Sequence, residues 1–262
     1  MLSVETFATI TEAATHMGGD ARFLGGGTLL MRDVNYGAAG FSRIVRTTSV
    51  DRTITSASNG IRIGAGATMS DVIASPETTA LAAAARAVGG PAIRNMATVG
   101  GNLFAPHPYG DFATALLALD ATVEWSDGRS EPIETTLSQR GSSNGIVASV
   151  TVPRISNREF RFRKVTRTKP KGVSVMSIAV RLPGTGGQAR IAFGAMGPTP
   201  LRAKQAEAAL QSAQLTPEGI KPVTDACLQG LAPMDDALSS AWYRAEVAPI
   251  HLARTLLEQG GY

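Results

Sequence analysis

A chain of 262 residues, 44% hydrophobic and 18% charged, has the length and apolar content for a substantial core in one large domain or two to three small ones. Its single cysteine, Cys227, excludes an internal disulfide and any zinc site or iron–sulfur cluster that draws several thiolates from this chain. The formal net charge of +4 is concentrated in REFRFRKVTRTKPK (158–171), where seven Lys or Arg stand against one Glu.

No apolar run reaches the length of a membrane span, and MLSVETFATITEAATHM lacks a basic start followed by an apolar block, so a soluble cytoplasmic protein is expected. VETFATITEAATHM has helical spacing of apolar residues; GGDARFLGGGT then reads as turn, short strand (ARFL) and glycine loop, and LLMRDVNYG as a helical turn. FSRIVRT, TITSAS and IRIGAGA read as strands, the last two joined at Asn59-Gly60, a pair that favours a tight hairpin because both residues reach positive φ. PETTALAAAARAV (76–88) predicts an alanine-rich helix. A second glycine loop follows, then the helix DFATALLALD (111–120), in which Asp111 caps or precedes the first turn.

ATVEWSDGRSEPIE predicts strand, turn and strand, and GIVASVTVP (145–153) another strand. In the basic run, Phe160 and Phe162 at alternate positions predict a strand with one buried face and one solvated, charged face, a plainer reading than nucleic-acid binding. GVSVMSIAVRL and ARIAFGAMG are alternating strands divided by PGTGGQ, and beyond Pro200 the pattern turns helical in LRAKQAEAALQ, PEGIKPVTDACLQGL and SSAWYRAEVAPIHLARTLLEQ. The expected fold class is α+β. Its parts are an N-terminal α/β part (1–46), a middle α/β part (47–157) and a C-terminal domain (158–262) of a few antiparallel strands plus helices.

Two glycine motifs carry the chemistry. LGGGTLL (24–30) lies between a strand and a helix, where backbone N–H groups converge on an anion and glycine lets a phosphate approach the main chain without an intervening Cβ. ATVGGNL (97–103) offers a second such loop, with Thr98 and Asn102 flanking the glycines, so the pair can grip one pyrophosphate from both sides. IRIGAGATMSDV contains a G-x-G but no third glycine and no acidic residue at the ribose-binding distance, which rejects a Rossmann site there. His16, His107 and His251 are widely separated, and neither a Ser/His/Asp set nor a metal-ligand spacing is present.

RFLGGGTLL, then IRNMATVGGN, then Pro108 and Asp111 leading into an apolar helix, in that order, resemble the flavin-binding (medium) subunit of the molybdenum hydroxylases, the family of xanthine dehydrogenase and aerobic carbon monoxide dehydrogenase. FGAMGPTPLRAKQAEAAL (193–210) and AWYRAEVAPIHLARTLLE (241–258) extend the resemblance over nearly the whole chain. It implies a two-part flavin domain of the vanillyl-alcohol-oxidase (PCMH) type. Carried over, Leu24, Gly25, Gly26, Gly27, Thr28 and Leu29 form one contact with the FAD pyrophosphate, and Thr98, Val99, Gly100, Gly101 and Asn102 the other. Asp111 matches a family aspartate that holds a polyol or ribose hydroxyl, Lys164 a lysine near the isoalloxazine, and Val147 an apolar residue packing on the flavin; a helix cap, a solvated lysine and a core valine are the alternatives. No catalytic acid, base or metal ligand is implied in this chain.

The first motif has Gly27 and Thr28 where the family commonly has Thr or His and then Asp or Ser; without a histidine there, FAD is expected to be non-covalent. His107 and Tyr109 stand where small residues are usual. The resemblance implies a large molybdopterin-binding partner and a small iron–sulfur partner, with a dimer of such heterotrimers as one assembly, and no nucleic acid or membrane span. FAD joins one-electron clusters to the final acceptor, NAD, quinone or oxygen. Location would be cytoplasmic, or periplasmic only by co-export with a partner. A stand-alone FAD reductase of the same fold and a flavin-free assembly subunit are the rival readings.

Overall fold

The computed structural model describes residues 2–140, 145–168, 172–184 and 187–258. Three sheets organise them. The first is parallel, in the order β1-β3-β2, with β1 at Ser3–Phe7, β2 at Ala21–Phe23 and β3 at Arg43–Thr47. Helices Ile10–Thr15 and Leu30–Asn35 make the crossovers. The helix expected from Val4 therefore begins only at Ile10, where the Thr9 side chain accepts from Glu12 N–H. Val4 and Phe7 mimic a helical apolar spacing, but the β-branched segment pairs in register with β3, Val4 opposite Ile44 and Phe7 opposite Thr47. Long-range pairing overrides the local period here.

The second sheet is antiparallel, in the order β4-β5-β8-β6-β7, with β4 at Ile54–Ala57, β5 at Gly60–Gly64, β6 at Thr122–Trp125, β7 at Ser130–Pro132 and β8 at Val147–Val152. The hairpin of β4 and β5 turns through Ser58 and Asn59, because Ala57 already pairs with Gly60. Of the expected positive-φ pair only Gly60 (φ +151°) has that geometry. After β7 comes a helix, Ile133–Gln139, that the sequence reading did not assign. Turn PGTGGQ falls partly outside the described residues, as do Lys169 and Lys171 of the basic run.

The third sheet is antiparallel, in the order β12-β11-β10-β9, with β9 at Phe160–Thr166, β10 at Ser174–Arg181, β11 at Arg190–Gly194 and β12 at Leu201–Arg202. Between the second and third sheets runs helix Asp111–Ala118, all eight residues of which are buried. One core joins this helix to Ile63, Val123 and Val150 of the second sheet and to Phe160, Ala179 and Ala192 of the third. The opposite face of the third sheet carries a second core against helices Lys204–Leu210, Lys221–Asp225 and Ala241–Leu257. Cys227 sits in it just past the end of its helix, and burial pushes its thiol up to about 11. Among the described residues no helix is long and apolar enough to cross a membrane.

Both faces of β9 are covered, which corrects the expectation of a solvated charged face. Arg161 donates to the carbonyls of Thr255 (3.2 Å) and Leu256 at the end of the last helix, satisfying acceptors that the helix itself leaves open. Arg163 pairs with Glu258, and Lys164, on the other face with Phe160 and Phe162, reaches helix Asp111–Ala118. Much of the basic run is thus spent on internal pairing.

A further junction holds the loop before Asp111 to the C-terminal helices. His107 Nδ1 lies 3.0 Å from the Gly197 carbonyl and Nε2 2.7 Å from Asp236, while Arg244, with no exposed surface, donates to Asp236 (2.7 Å) and to the carbonyls of Val175, Ser239 and Met234. Burial alone would raise the Asp236 pKa, but Arg244, the N–H groups of Leu238 and Ser239 and the His107 ring hold it down to about 2. A carboxyl depressed in the folded state stabilises above its unfolded pKa of about 3.9 and loses that contribution, about 2 kcal/mol, as pH falls toward about 2. Wild type should therefore lose about 2 kcal/mol more than Asp236→Asn between pH 5 and pH 2 in denaturant titrations. Parallel pH profiles for the two proteins would remove this role from Asp236.

Candidate functional site

The two glycine motifs meet along one wall of a cleft of about 1230 Å3. Strand β2 ends at Phe23, and Leu24 extends its pairing by donating to the Val45 carbonyl at 2.8 Å. The chain then leaves the sheet. Among the described residues, the N–H groups of Gly25, Gly26, Gly27, Thr28 and Leu29 have no acceptor within the protein, and all five residues line the cleft. A run of unpaired backbone donors facing a concavity attracts an anion with several acceptor oxygens.

The glycines have different causes. Gly27 has φ +70°, which a side chain disfavours. At Gly26 a Cβ would stand 1.7 Å from the Met96 carbonyl oxygen, and at Gly25 it would stand 2.9 Å from Thr98 Oγ1. Gly25 and Gly26 are therefore bare because the second motif packs on them, not only to admit a ligand.

The second motif differs from the expected open loop. Val99–Leu103 is a short helix capped by Thr98, whose Oγ1 accepts from Gly101 N–H at 3.1 Å. The N–H groups of Val99, Gly100 and Asn102 donate to the carbonyls of Ala67, Ala65 and Thr98. Its donors are already engaged, so it does not offer the N–H cradle expected from its glycines. Its glycines answer to packing instead: a Cβ at Gly100, which is buried, would lie 2.9 Å from Ala65 Cβ, and one at Gly101 2.9 Å from Thr98 Oγ1.

Thr98, Gly100, Gly101 and Asn102 line the cleft, whereas Val99 is a core residue, and Leu24 packs its side chain toward Gly27. Asn102 Oδ1 accepts from Ala113 N–H (2.9 Å), tying the motif to helix Asp111–Ala118. The cap of that helix is Gly110, not Asp111. Asp111 instead accepts from Lys164 Nζ (2.9 Å) through one oxygen and from Ser174 Oγ (2.6 Å) through the other, and Lys164 also donates to the Ala87 carbonyl at 2.8 Å. Asp111, Lys164, Ser174 and Val147 all line the same cleft. Helix Asp111–Ala118 and the neighbouring strands β9 and β10, 53 and 63 residues further on at Lys164 and Ser174, thus converge on one carboxylate.

Sequence reasoning missed Ser174, Arg140 and Arg32. Arg140 donates to the carbonyls of Ala105 (2.7 Å) and Pro198, bracing the loop before Asp111, and burial lowers its pKa. Arg32 donates to Tyr109 Oη at 2.8 Å and lies over its ring, 5.2 Å from the centroid. None of the three sits in a local pattern that sets it apart from a surface residue. Among the described residues no group of three His, Cys, Asp or Glu side chains is placed to hold a metal.

Clefts that take a single small ligand span about 300–1,000 Å3, and this one combines a larger space with a donor run, a buried carboxylate and apolar walls, features that suit an extended ligand such as a dinucleotide. Residues 1–155 match the family model described as the FAD binding domain in molybdopterin dehydrogenase, and residues 161–259 match the CO dehydrogenase flavoprotein C-terminal domain. The chain is 28% identical over 261 residues to the xanthine dehydrogenase FAD-binding subunit of Escherichia coli O157:H7 (91% of this chain, 87% of that protein). It is 26% identical over 256 residues to the carbon monoxide dehydrogenase medium chain of Hydrogenophaga pseudoflava (92% and 89%). A solved structure of carbon monoxide dehydrogenase from Hydrogenophaga pseudoflava superposes with a TM-score of 0.88 at 25% identity, covering 98% of this chain and 96% of that one. With both halves of its length matched in order, the chain belongs to the FAD-binding subunits of the molybdenum hydroxylases, an oxidoreductase family.

Proposed function

We propose that the cleft holds FAD non-covalently and that the chain is the flavin subunit of a heteromeric molybdenum hydroxylase. It would take electrons from a small iron–sulfur partner, supplied in turn by a large molybdopterin-binding partner, and deliver them to a final acceptor. The observation that carries the reading is the run of N–H groups from Gly25 to Leu29 with no acceptor among the described residues, in five residues that line a cleft also lined by Gly100 and Gly101. Those donors suit a diphosphate.

In this reading Gly25, Gly26, Gly27, Thr28 and Leu29 hold the diphosphate. Thr98, Gly100, Gly101 and Asn102 form the opposing surface, and Leu24 and Val99 support them from behind. Asp111 accepts a polyol hydroxyl, and the Lys164 and Ser174 contacts fix the direction of its carboxylate. Val147 packs on the ring system and Lys164 places its charge near it. FAD, when bound, supplies a carrier that exchanges electrons singly or in pairs. The chain's own residues bind, orient and shield; substrate oxidation lies in the partner.

The test is isolation of the native complex with analysis of flavin, molybdenum and iron. Flavin released by acid precipitation at about one per chain, with both metals in co-purifying subunits, is the expected result. A complex with metals but no flavin would favour an assembly role, and a flavin-loaded chain that turns over without partners would favour a stand-alone reductase.

A further inference from the structure

We infer that the Arg32–Tyr109 contact is a gate that closes the cleft across the FAD diphosphate and sets the rate of FAD exchange; the inference rests on the proposed FAD site. Two chain segments, 26–32 and 96–109, touch at both ends. At one end Gly26 packs on the Met96 carbonyl so closely that no side chain fits. At the other, Arg32 donates to Tyr109 Oη at 2.8 Å with its guanidinium over the ring. Gly27, Thr28, Gly101 and Asn102, which line the cleft, lie on these two segments between the two contacts. In this proposal a diphosphate seated on the N–H groups of that wall lies between the two contacts, and its exit requires one of them to open.

The two contacts are not equally able to open. Gly26 and Met96 meet through backbone, whereas the Arg32 contact is made by side chains. The Tyr109 side is fixed: the same loop is held through His107 to Gly197 and Asp236, and through the Ala105 carbonyl to Arg140. Arg32 lies on a six-residue helix, its side chain 37% exposed and steadied by Asp33 at 3.0 Å. Arg32 is therefore the moving half.

A gate changes the rates of entry and exit together and leaves the equilibrium nearly where it was; a direct ligand contact changes exit and affinity together. In the native complex, release is measured by exchange of labelled FAD against unlabelled FAD, and uptake after flavin removal. Arg32→Ala should speed both about tenfold and Tyr109→Phe, which keeps the ring and removes the hydrogen bond, about threefold. Kd should move by less than about threefold in either. Unchanged exchange in both variants would overturn the gate, as would faster release with unchanged uptake and a matching loss of affinity. Wild-type complex with no flavin to exchange is a separate result, which would remove the FAD site itself.

Discussion

Gly26→Val should reduce flavin content to less than about a tenth of wild type, a loss of more than about 1.4 kcal/mol of binding free energy. A Cβ at this position would lie 1.7 Å from the Met96 carbonyl oxygen and 3.1 Å from Ala97 Cα, both main-chain atoms that no rotamer change relieves. The first motif must therefore lift away from the second, and its N–H groups shift from their place along the cleft wall. Overpacking of this kind costs about 1–3 kcal/mol in stability, which the folded chain should survive. The control is Gly40→Ala, at a glycine that also lines the cleft but has open space around its Cα and no left-handed backbone. Flavin should be retained there. Normal flavin in Gly26→Val, with its melting curve unchanged, would mean that the close approach of the motifs does not shape the site.

The second large effect is expected at Asp111. Replacing it with alanine leaves the Lys164 ammonium, whose side chain is only 19% exposed, with the Ala87 carbonyl as its remaining partner, and removes the acceptor of Ser174, which is 1% exposed. Removing one member of a buried pair costs about 3–5 kcal/mol because the other charge stays behind. Asp111→Ala should therefore destabilise by about 3 kcal/mol or more in denaturant titrations. The double variant Asp111→Ala with Lys164→Met removes both charges and should recover more than half of that loss. Strict additivity of the two substitutions would show that the pair contributes little and that Asp111 acts alone.

The sequence made the local signals legible. Alternation located β10 and β11, and the two glycine motifs in order located both halves of the cleft wall. What it hid depends on distant partners. β1 is a strand because β3 pairs with it, about forty residues on. The GG pair is helical because Thr98 caps it and because Ala65 and Ala67 accept its N–H groups, facts of tertiary packing that a G-G dipeptide does not encode. Asp111 resembles a helix cap until Lys164 and Ser174, 53 and 63 residues away, take both its oxygens. The basic strand reads as solvated until the last helix is folded across it. In each case the composition of a segment is compatible with two environments, and packing selects one.

Hydrogen–deuterium exchange of the native complex, with FAD bound and after its removal, tests the central claim most directly. The N–H groups of Gly25 to Leu29 have no acceptor among the described residues, while those of Val99 to Asn102 are already paired. Binding should slow exchange strongly in residues 25–29 and change residues 99–102 little. Protection by FAD confined to other segments, with 25–29 exchanging as fast as in the flavin-free complex, would contradict the placement of the diphosphate on this backbone.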